Sequence, residues 1–285
     1  MRFGCLLWFL FLVANPVRVV GESRVLAATI FPLGAWLAEF TSDEAEIVVV
    51  LPAGANPHTF EPLPAQVRVL QRASLLVQVG AGLDDWIEKL ARVSRNPPRL
   101  VTLSEHVPLL PLREEGGRDP HFWLDPVLVR DHALPALVEA LEQIAPDRAM
   151  EYRSRAERWR QELSRLDARL QTQLAPVRGR AYVAVHSAWR YFARRYGLVE
   201  AATIEPVPGR ELSAKEMTEL VREVRRSQAR AVVVEPYAFS ITAAQVAREA
   251  GIPLVTIDPF GSGALPGGYV RLVEHNARAF VQVFR

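Results

Sequence analysis

The run from Pro146 to Leu174 restricts the fold of this chain more than any other stretch. It contains no glycine, and its single proline is the first residue, where a helix loses no internal hydrogen bond. Apolar residues recur at spacings of four and three, which indicates one buried helix face: Tyr152, Ala156, Trp159, Leu163, Leu166, Leu170 and Leu174. At 1.5 Å per residue such a helix is about 40 Å long, the width of a domain. We interpret it as a rigid helix joining two lobes; the alternative is one more surface helix in a single domain.

Strands and helices alternate on both sides of this helix. Apolar, β-branched runs predict strands at 24–30, 47–51, 75–79 and 100–103 before it, and at 180–185, 199–204, 231–234 and 253–257 after it. Such alternation is typical of parallel sheets covered by helices. The sequence therefore predicts an α/β fold with two lobes, 22–145 and 175–285, joined by the helix 146–174. Each lobe is expected to hold a mainly parallel four-stranded sheet flanked by helices.

The first 21 residues have the pattern of a secretory signal peptide. Arg2 precedes an apolar run from Phe3 to Ala14, and the small residue Gly21 follows. The run is too short for a stable transmembrane helix, although an uncleaved anchor is the alternative, and no later segment is apolar enough to cross a bilayer. We therefore expect the protein in the periplasm or another extracytoplasmic space.

The net charge and the single cysteine exclude some classes of binding partner and of metal ligand. Loss of 1–21 removes Arg2 and Arg18 but no acidic residue, so the whole-chain charge of +2 becomes zero. A neutral chain argues against nucleic acid or an anionic membrane as a partner. Cys5, the only cysteine, lies inside the same segment. Any metal bound by the remaining chain must therefore be held by histidine and carboxylate.

Several polar side chains lie where a parallel sheet binds ligands. Ligands of open α/β sheets bind beyond the carboxyl ends of the strands. If the two lobes face each other, three imidazoles and a carboxylate meet there, a ligand set that divalent transition metals prefer. Spacing alone leaves ordinary surface or core histidines as the alternative. The candidates after predicted strands are His58, His186, Glu235 and Asp258, with His121 in a loop between Pro120 and Pro126.

Four motifs carry a resemblance to a known family: NPHTFEP, DPHFWLDP, VHSAWRYFARRYGL and TIDPFG, in this order. They resemble the metal-binding extracytoplasmic solute-binding proteins of ABC importers for zinc and manganese, over nearly the whole chain after residue 21. The resemblance implies two α/β lobes joined by a single long helix, with the metal buried between them. It also implies that His58, His121, His186 and Asp258 are the metal ligands.

The ligand set implied by the resemblance bears on the transported ion. Three histidines with one aspartate resemble the zinc-binding or mixed zinc/manganese members, whereas manganese-specific members usually have glutamate at the third position. Dedicated zinc importers often carry a long His- and Asp-rich insert before DPHFWLDP. Here the loop 104–118 is short and offers only His106, Glu114 and Glu115. The ligand set makes Zn²⁺ the expected cargo, whereas the short loop departs from the dedicated zinc importers and leaves Mn²⁺ open.

For the other polar and aromatic residues we expect supporting or structural roles. Glu205 and Glu235 each precede a proline at a strand end, and we expect them either behind the ligands or at the surface that contacts the permease. His106, His132 and His275 are interpreted as surface or structural residues, Asp125 as a helix cap, and Trp123 and Trp189 as aromatic residues that keep the site dry.

The function expected from this sequence is transport rather than catalysis. A monomeric binding protein would capture the metal ion and deliver it to the membrane permease of an ABC importer. One alternative is a zinc-dependent hydrolase, which keeps a fourth metal position open for water. The other is a surface adhesin that uses the metal only for stability.

Overall fold

The computed structural model describes residues 24–41, 45–112, 116–205, 213–238, 240–261 and 268–284. The predicted signal peptide at 1–21 with Cys5, and the loop acids Glu114 and Glu115, lie outside these residues. Among the helices of the described ranges, none combines the length and the apolar character that a bilayer crossing requires.

The first lobe is built on a sheet of four parallel strands in the order β2-β1-β3-β4. Helices α1, α2 and α3 connect these strands, and each strand lies within two residues of its predicted range. The elements are β1 (Arg24–Ala28), α1 (Phe31–Thr41), β2 (Ala45–Val49), α2 (Pro64–Arg72), β3 (Ala73–Gln78), α3 (Trp86–Val93) and β4 (Arg99–Thr102).

The second lobe repeats this organisation with the order β6-β5-β7-β8, again with every strand pair parallel. The predicted strands are confirmed within two residues here as well. The elements are β5 (Ala181–Ala184), α7 (Arg190–Tyr196), β6 (Val199–Thr203), α8 (Ala214–Ser227), β7 (Val232–Val234), α9 (Ile241–Ala250), β8 (Leu254–Thr256) and α10 (Gly268–Phe284).

Three helices connect the two sheets: α4 (Pro126–Leu128), α5 (Leu134–Ile144) and α6 (Ala149–Leu174). Asp125 caps α4, since its side chain accepts the N–H of Val127 at 2.9 Å. A π turn at Val129–Ala133 separates α4 from α5, whereas the sequence predicts one continuous helix from 126 to 144. Pro135 follows the π turn, and its missing N–H removes one internal hydrogen bond from the helix at this point.

The long helix α6 confirms the predicted connecting helix. It runs for 26 residues after a short 3₁₀ turn at Pro146–Arg148. Of the predicted face, Ala156 is half-buried and the other six residues are buried: Tyr152, Trp159, Leu163, Leu166, Leu170 and Leu174. They pack into one continuous apolar core that includes residues of both lobes.

Aromatic rings join α6 to one helix from each end of the chain. The ring of Trp159 lies 6.0 Å from that of Trp36 in α1 and 6.1 Å from that of Tyr269 in α10. Trp36 and Tyr269 also contact each other edge to face, at 5.5 Å. Because α1 belongs to the first lobe and α10 to the second, this cluster fixes both lobes to α6.

Candidate metal centre

The structure brings the three predicted histidines together. His58, His121 and His186 each offer a ligand nitrogen, and these nitrogens lie within 4.8 Å of one another. The ring of His186 lies 4.9 Å from that of His58 and 4.8 Å from that of His121. The Nε2 atoms of His58 and His121 are buried without a hydrogen-bond partner in the described residues. Because burying an unpartnered polar atom is costly, this arrangement fits a ligand that accepts the nitrogen lone pairs.

The loop after β2 holds His58 in position. The backbone N–H of His58 donates to Oδ1 of Asn56 at 2.9 Å. The indole N–H of Trp86, at the start of α3, donates to the carbonyl of Pro57 at 3.0 Å, and the Trp86 ring packs against Phe60. The loop is therefore anchored to the first lobe on both sides of the imidazole.

A buried carboxylate orients His121. Nδ1 of His121 lies 2.8 Å from Oδ1 of Asp119, whose side chain is fully buried, and the same oxygen accepts the backbone N–H of His121 at 3.0 Å. Donation from Nδ1–H to Asp119 leaves Nε2 for an ion, as in many metal sites. Sequence reasoning missed Asp119, although a carboxylate two residues before the histidine in DPH is a usable signal.

A second buried carboxylate lies beside His186. Nδ1 of His186 is 3.6 Å from Oε1 of Glu235, an ion-pair distance, and the Glu235 side chain has no exposed surface. Glu205, the other candidate of this kind, follows β6, and its carboxylate accepts the hydroxyl of Ser240, the residue before α9, at 2.6 Å. Glu235 therefore contacts a histidine of the cluster, while a part for Glu205 in the site stays a prediction.

Asp258 follows β8 and lies outside the group of three histidines. Its Oδ1 accepts the N–H groups of Phe260 and Gly261, both at 2.9 Å, and its carbonyl accepts the amide of Asn276 in α10 at 2.7 Å. Within the described part of the chain, the close group of ligand atoms holds the three histidines without Asp258. Asp258 instead lines a cavity of about 240 Å³ between the lobes, so its part as a fourth ligand stays a prediction.

Burial and neighbouring charges set the protonation of the imidazoles. Burial, together with repulsion by His121 and His186, lowers the pKa of His58 to about 2. Burial also lowers the pKa of His121, although Asp119 opposes this. For His186, burial lowers the pKa, but the Glu235 carboxylate more than reverses that effect and raises it above its ordinary value. At neutral pH the cluster therefore offers at least two unprotonated nitrogen ligands.

Trp123 connects the loop of His121 to the second lobe. Its indole N–H donates to the carbonyl of Pro259 at 2.9 Å, and its ring lies 5.2 Å from both His121 and Phe260. Trp123 is fully buried, which fits its predicted place beside the site. Trp189 is buried as well, but it packs in the apolar core. Its ring lies 5.3 Å from that of Phe280, a core residue of α10.

Two parallel α/β lobes on one long helix, with imidazoles from both lobes in one cluster, define a class: two-lobed binding proteins that hold a metal ion between their halves. The chain belongs to the family of the periplasmic component A of zinc-uptake complexes (ZnuA), whose family model matches residues 26–283.

Individual proteins are similar to this chain over most of its length. The chain is 27% identical over 267 residues to the manganese-binding lipoprotein MntA of Halalkalibacterium halodurans, covering 92% of this chain and 88% of that protein. It is 27% identical over 287 residues to the high-affinity zinc uptake system protein ZnuA of Paracoccus denitrificans, covering 87% of each. A crystal structure of ZnuA superposes with a TM-score of 0.82 at 28% identity, covering 92% of this chain and 99% of the other.

Proposed function

We propose that this protein captures Zn²⁺ outside the cytoplasmic membrane and delivers it to the permease of an ABC importer. The ion would be held by His58, His121, His186 and Asp258. The buried, unpartnered Nε2 atoms of His58 and His121 carry this proposal, because a metal ion supplies the partner that they lack. A set rich in imidazole suits Zn²⁺ better than Mn²⁺, which prefers oxygen ligands and binds more weakly in the general order of divalent metals. Mn²⁺ is the alternative cargo.

The organisation of the chain belongs to the same proposal. Residues 1–21 direct export and are removed, 22–145 and 175–285 form the lobes, and 146–174 connects them. The protein acts as a monomer that meets the permease, with no part for nucleic acid. It is not an enzyme, because Asp258 would close the metal position that a zinc hydrolase leaves open for water.

Native mass spectrometry with metal analysis tests the stoichiometry and the identity of the ion, with one Zn²⁺ per chain expected. Calorimetry then compares His58→Ala, His121→Ala and His186→Ala with His275→Ala, an exposed histidine outside the cluster. Each cluster variant should lose more than about 100-fold in zinc affinity, beyond the 10–100-fold typical of residues behind the ligands, while the control keeps the wild-type value. Unchanged affinity in all three cluster variants would reject the site.

A further inference from the structure

We propose that the 240 Å³ cavity between the lobes is the entrance for the ion, and that Asp258 binds the ion there before the three imidazoles do. This inference rests on the proposed function, since it concerns how the same ion reaches the same ligands. It assigns Asp258 a kinetic part in capture, in addition to any contact that it makes in the final complex.

Two of the three imidazoles have a buried Nε2 atom, whereas the His186 side chain is 20% exposed. His121 is only 2% exposed, and Nε2 of His58 is buried as well. A hydrated ion cannot meet both nitrogens from bulk solvent in one step, because the surrounding protein excludes its water shell. The ion therefore first stops at a ligand that a hydrated ion can reach, and the Asp258 carboxylate in the cavity wall attracts a cation more strongly than an imidazole does.

Each side of the cavity is connected to the cluster by a short run of chain or by two successive ring contacts. On the first lobe, Ala55 in the cavity wall precedes His58 by three residues in the same loop. On the second lobe, the wall residue Phe260 packs against Trp123, whose ring in turn contacts His121. Tyr237, also in the wall, follows by two residues Glu235, the carboxylate next to His186. The cavity wall is thus linked, through the chain or through ring contacts, to the surroundings of all three imidazoles.

The size of the cavity fits an ion that still carries water. A cavity needs roughly 10–15 Å³ to hold one water, so about 240 Å³ admits a divalent ion with a shell of six waters. Exchange of that shell for protein ligands then takes place in steps within the cavity.

The cavity offers a single charged side chain for the first of these steps. Among the described residues that line it, Asp258 is the only acidic or basic one, and most of the others are apolar. A carboxylate in an apolar mouth focuses its field on approaching cations and raises their rate of association. The N–H groups of Phe260 and Gly261 hold Oδ1 of Asp258 in a fixed position, so the charge is presented without reorganisation.

Stopped-flow mixing with Zn²⁺ tests the order of binding, with tryptophan fluorescence as the signal because Trp123 contacts His121. In Asp258→Asn we expect the association rate constant to fall about tenfold or more, at the low end of electrostatic steering effects. The wild-type rate should decrease with added salt more steeply than that of Asp258→Asn. In His58→Ala the loss of affinity should instead come from faster dissociation.

A cavity variant tests the entrance without changing a ligand. Ala53 lines the cavity and is exposed, so Ala53→Phe adds bulk at the mouth without entering the core. We expect association and dissociation to slow by the same factor, which leaves the equilibrium affinity unchanged. Ala65→Phe, at an exposed position of α2 outside the cavity wall, is the matched control and should keep both rates.

The outcomes separate this inference from the proposed function. Wild-type protein that takes up no Zn²⁺ in mass spectrometry rejects the proposed function. Wild-type protein that binds Zn²⁺, with an unchanged association rate in Asp258→Asn, overturns capture by Asp258 while the function stands. Unchanged rates in Ala53→Phe overturn the cavity as the entrance.

Discussion

Two buried carboxylates decide which ring nitrogens of His121 and His186 are available as metal ligands. Asp119 accepts the Nδ1–H of His121, and Glu235 lies at ion-pair distance from Nδ1 of His186. Both arrangements leave the other ring nitrogen, Nε2, available to a metal ion. Residues behind metal ligands typically contribute 10–100-fold to affinity, so these two positions are expected to matter almost as much as the ligands.

Asp119→Asn tests the first of these contacts. The substitution keeps the shape of the side chain but replaces a charged acceptor with a weaker neutral one, so the orientation of His121 is held less firmly. We expect zinc affinity to fall by about 10–100-fold in calorimetry. Asp147→Asn, at an exposed position before α6, should have no effect. An Asp119→Asn protein that binds zinc as tightly as the wild type would contradict the orienting role.

The pH dependence of zinc binding tests the second contact. In the metal-free protein His186 is the first of the three imidazoles to take up a proton as pH falls, since its pKa is raised while those of His58 and His121 are lowered. Above that pKa the nitrogen is available to the ion; below it a proton competes. Zinc affinity should therefore decline by about tenfold per pH unit once pH drops below the pKa of His186.

Glu235→Gln removes the charge that raises this pKa. Its zinc affinity should begin to decline at a lower pH than that of the wild type, which calorimetry over roughly pH 5 to 8 measures. If both proteins lose affinity over the same pH range, the Glu235 carboxylate does not control the protonation of His186.

At the scale of elements, the strands of the first lobe depend on a buried carboxylate that lies outside the metal centre. Asp84 accepts three hydrogen bonds that join the ends of β1 and β3: from the hydroxyl of Thr29 at 2.5 Å, from the N–H of Val79 at 2.8 Å and from the N–H of Gly80 at 2.7 Å. Burial nevertheless raises the pKa of Asp84 to about 6, against those hydrogen bonds. The protonation of Asp84 therefore makes the stability of the first lobe depend on pH.

Asp84→Asn measures that coupling. The folded pKa lies above the unfolded value of about 3.9, so the contribution of Asp84 to stability is fully present below pH 4 and is lost as pH rises through about 6. The free energy of unfolding of wild type minus that of Asp84→Asn should thus decrease, by up to about 3 kcal/mol, between pH 4 and pH 7. Urea denaturation at both pH values measures it. Asp147→Asn, at an exposed position before α6, should show no such change, and a constant difference for Asp84→Asn would refute the coupling.

At the scale of the whole molecule, the shared core along α6 makes the lobes independent of the ion for folding. The aromatic cluster of Trp36, Trp159 and Tyr269 and the buried leucines of α6 belong to one core with residues of both sheets. The proposed ligands lie in loops outside this core. We therefore expect the metal-free protein to stay folded and to unfold in one transition.

Metal removal tests this expectation. Chelation should lower the melting temperature while far-ultraviolet circular dichroism stays unchanged at 25 °C. Added zinc at about 1,000 times its dissociation constant should raise the free energy of unfolding by about 4 kcal/mol. The same zinc concentration should raise the free energy of unfolding of His58→Ala far less. Unfolding on chelation would favour a metal that serves only as a structural element.

Local patterns predicted most of the fold because they act over a few residues. The spacing of Trp159, Leu163 and Leu166 requires one helix face, and β-branched runs require extended strands. The π turn before Pro135 was missed, since it depends on which hydrogen bonds the proline removes.

The sequence by itself determined the two sheets, the connecting helix and the residue types available to a metal. Only the tertiary structure decided that His58, His121 and His186 meet, that Glu235 rather than Glu205 lies beside an imidazole, and that Asp258 lines a neighbouring cavity. The physical reason is that helix and strand patterns follow from neighbouring residues, whereas contacts between the lobes follow from how distant faces pack on α6.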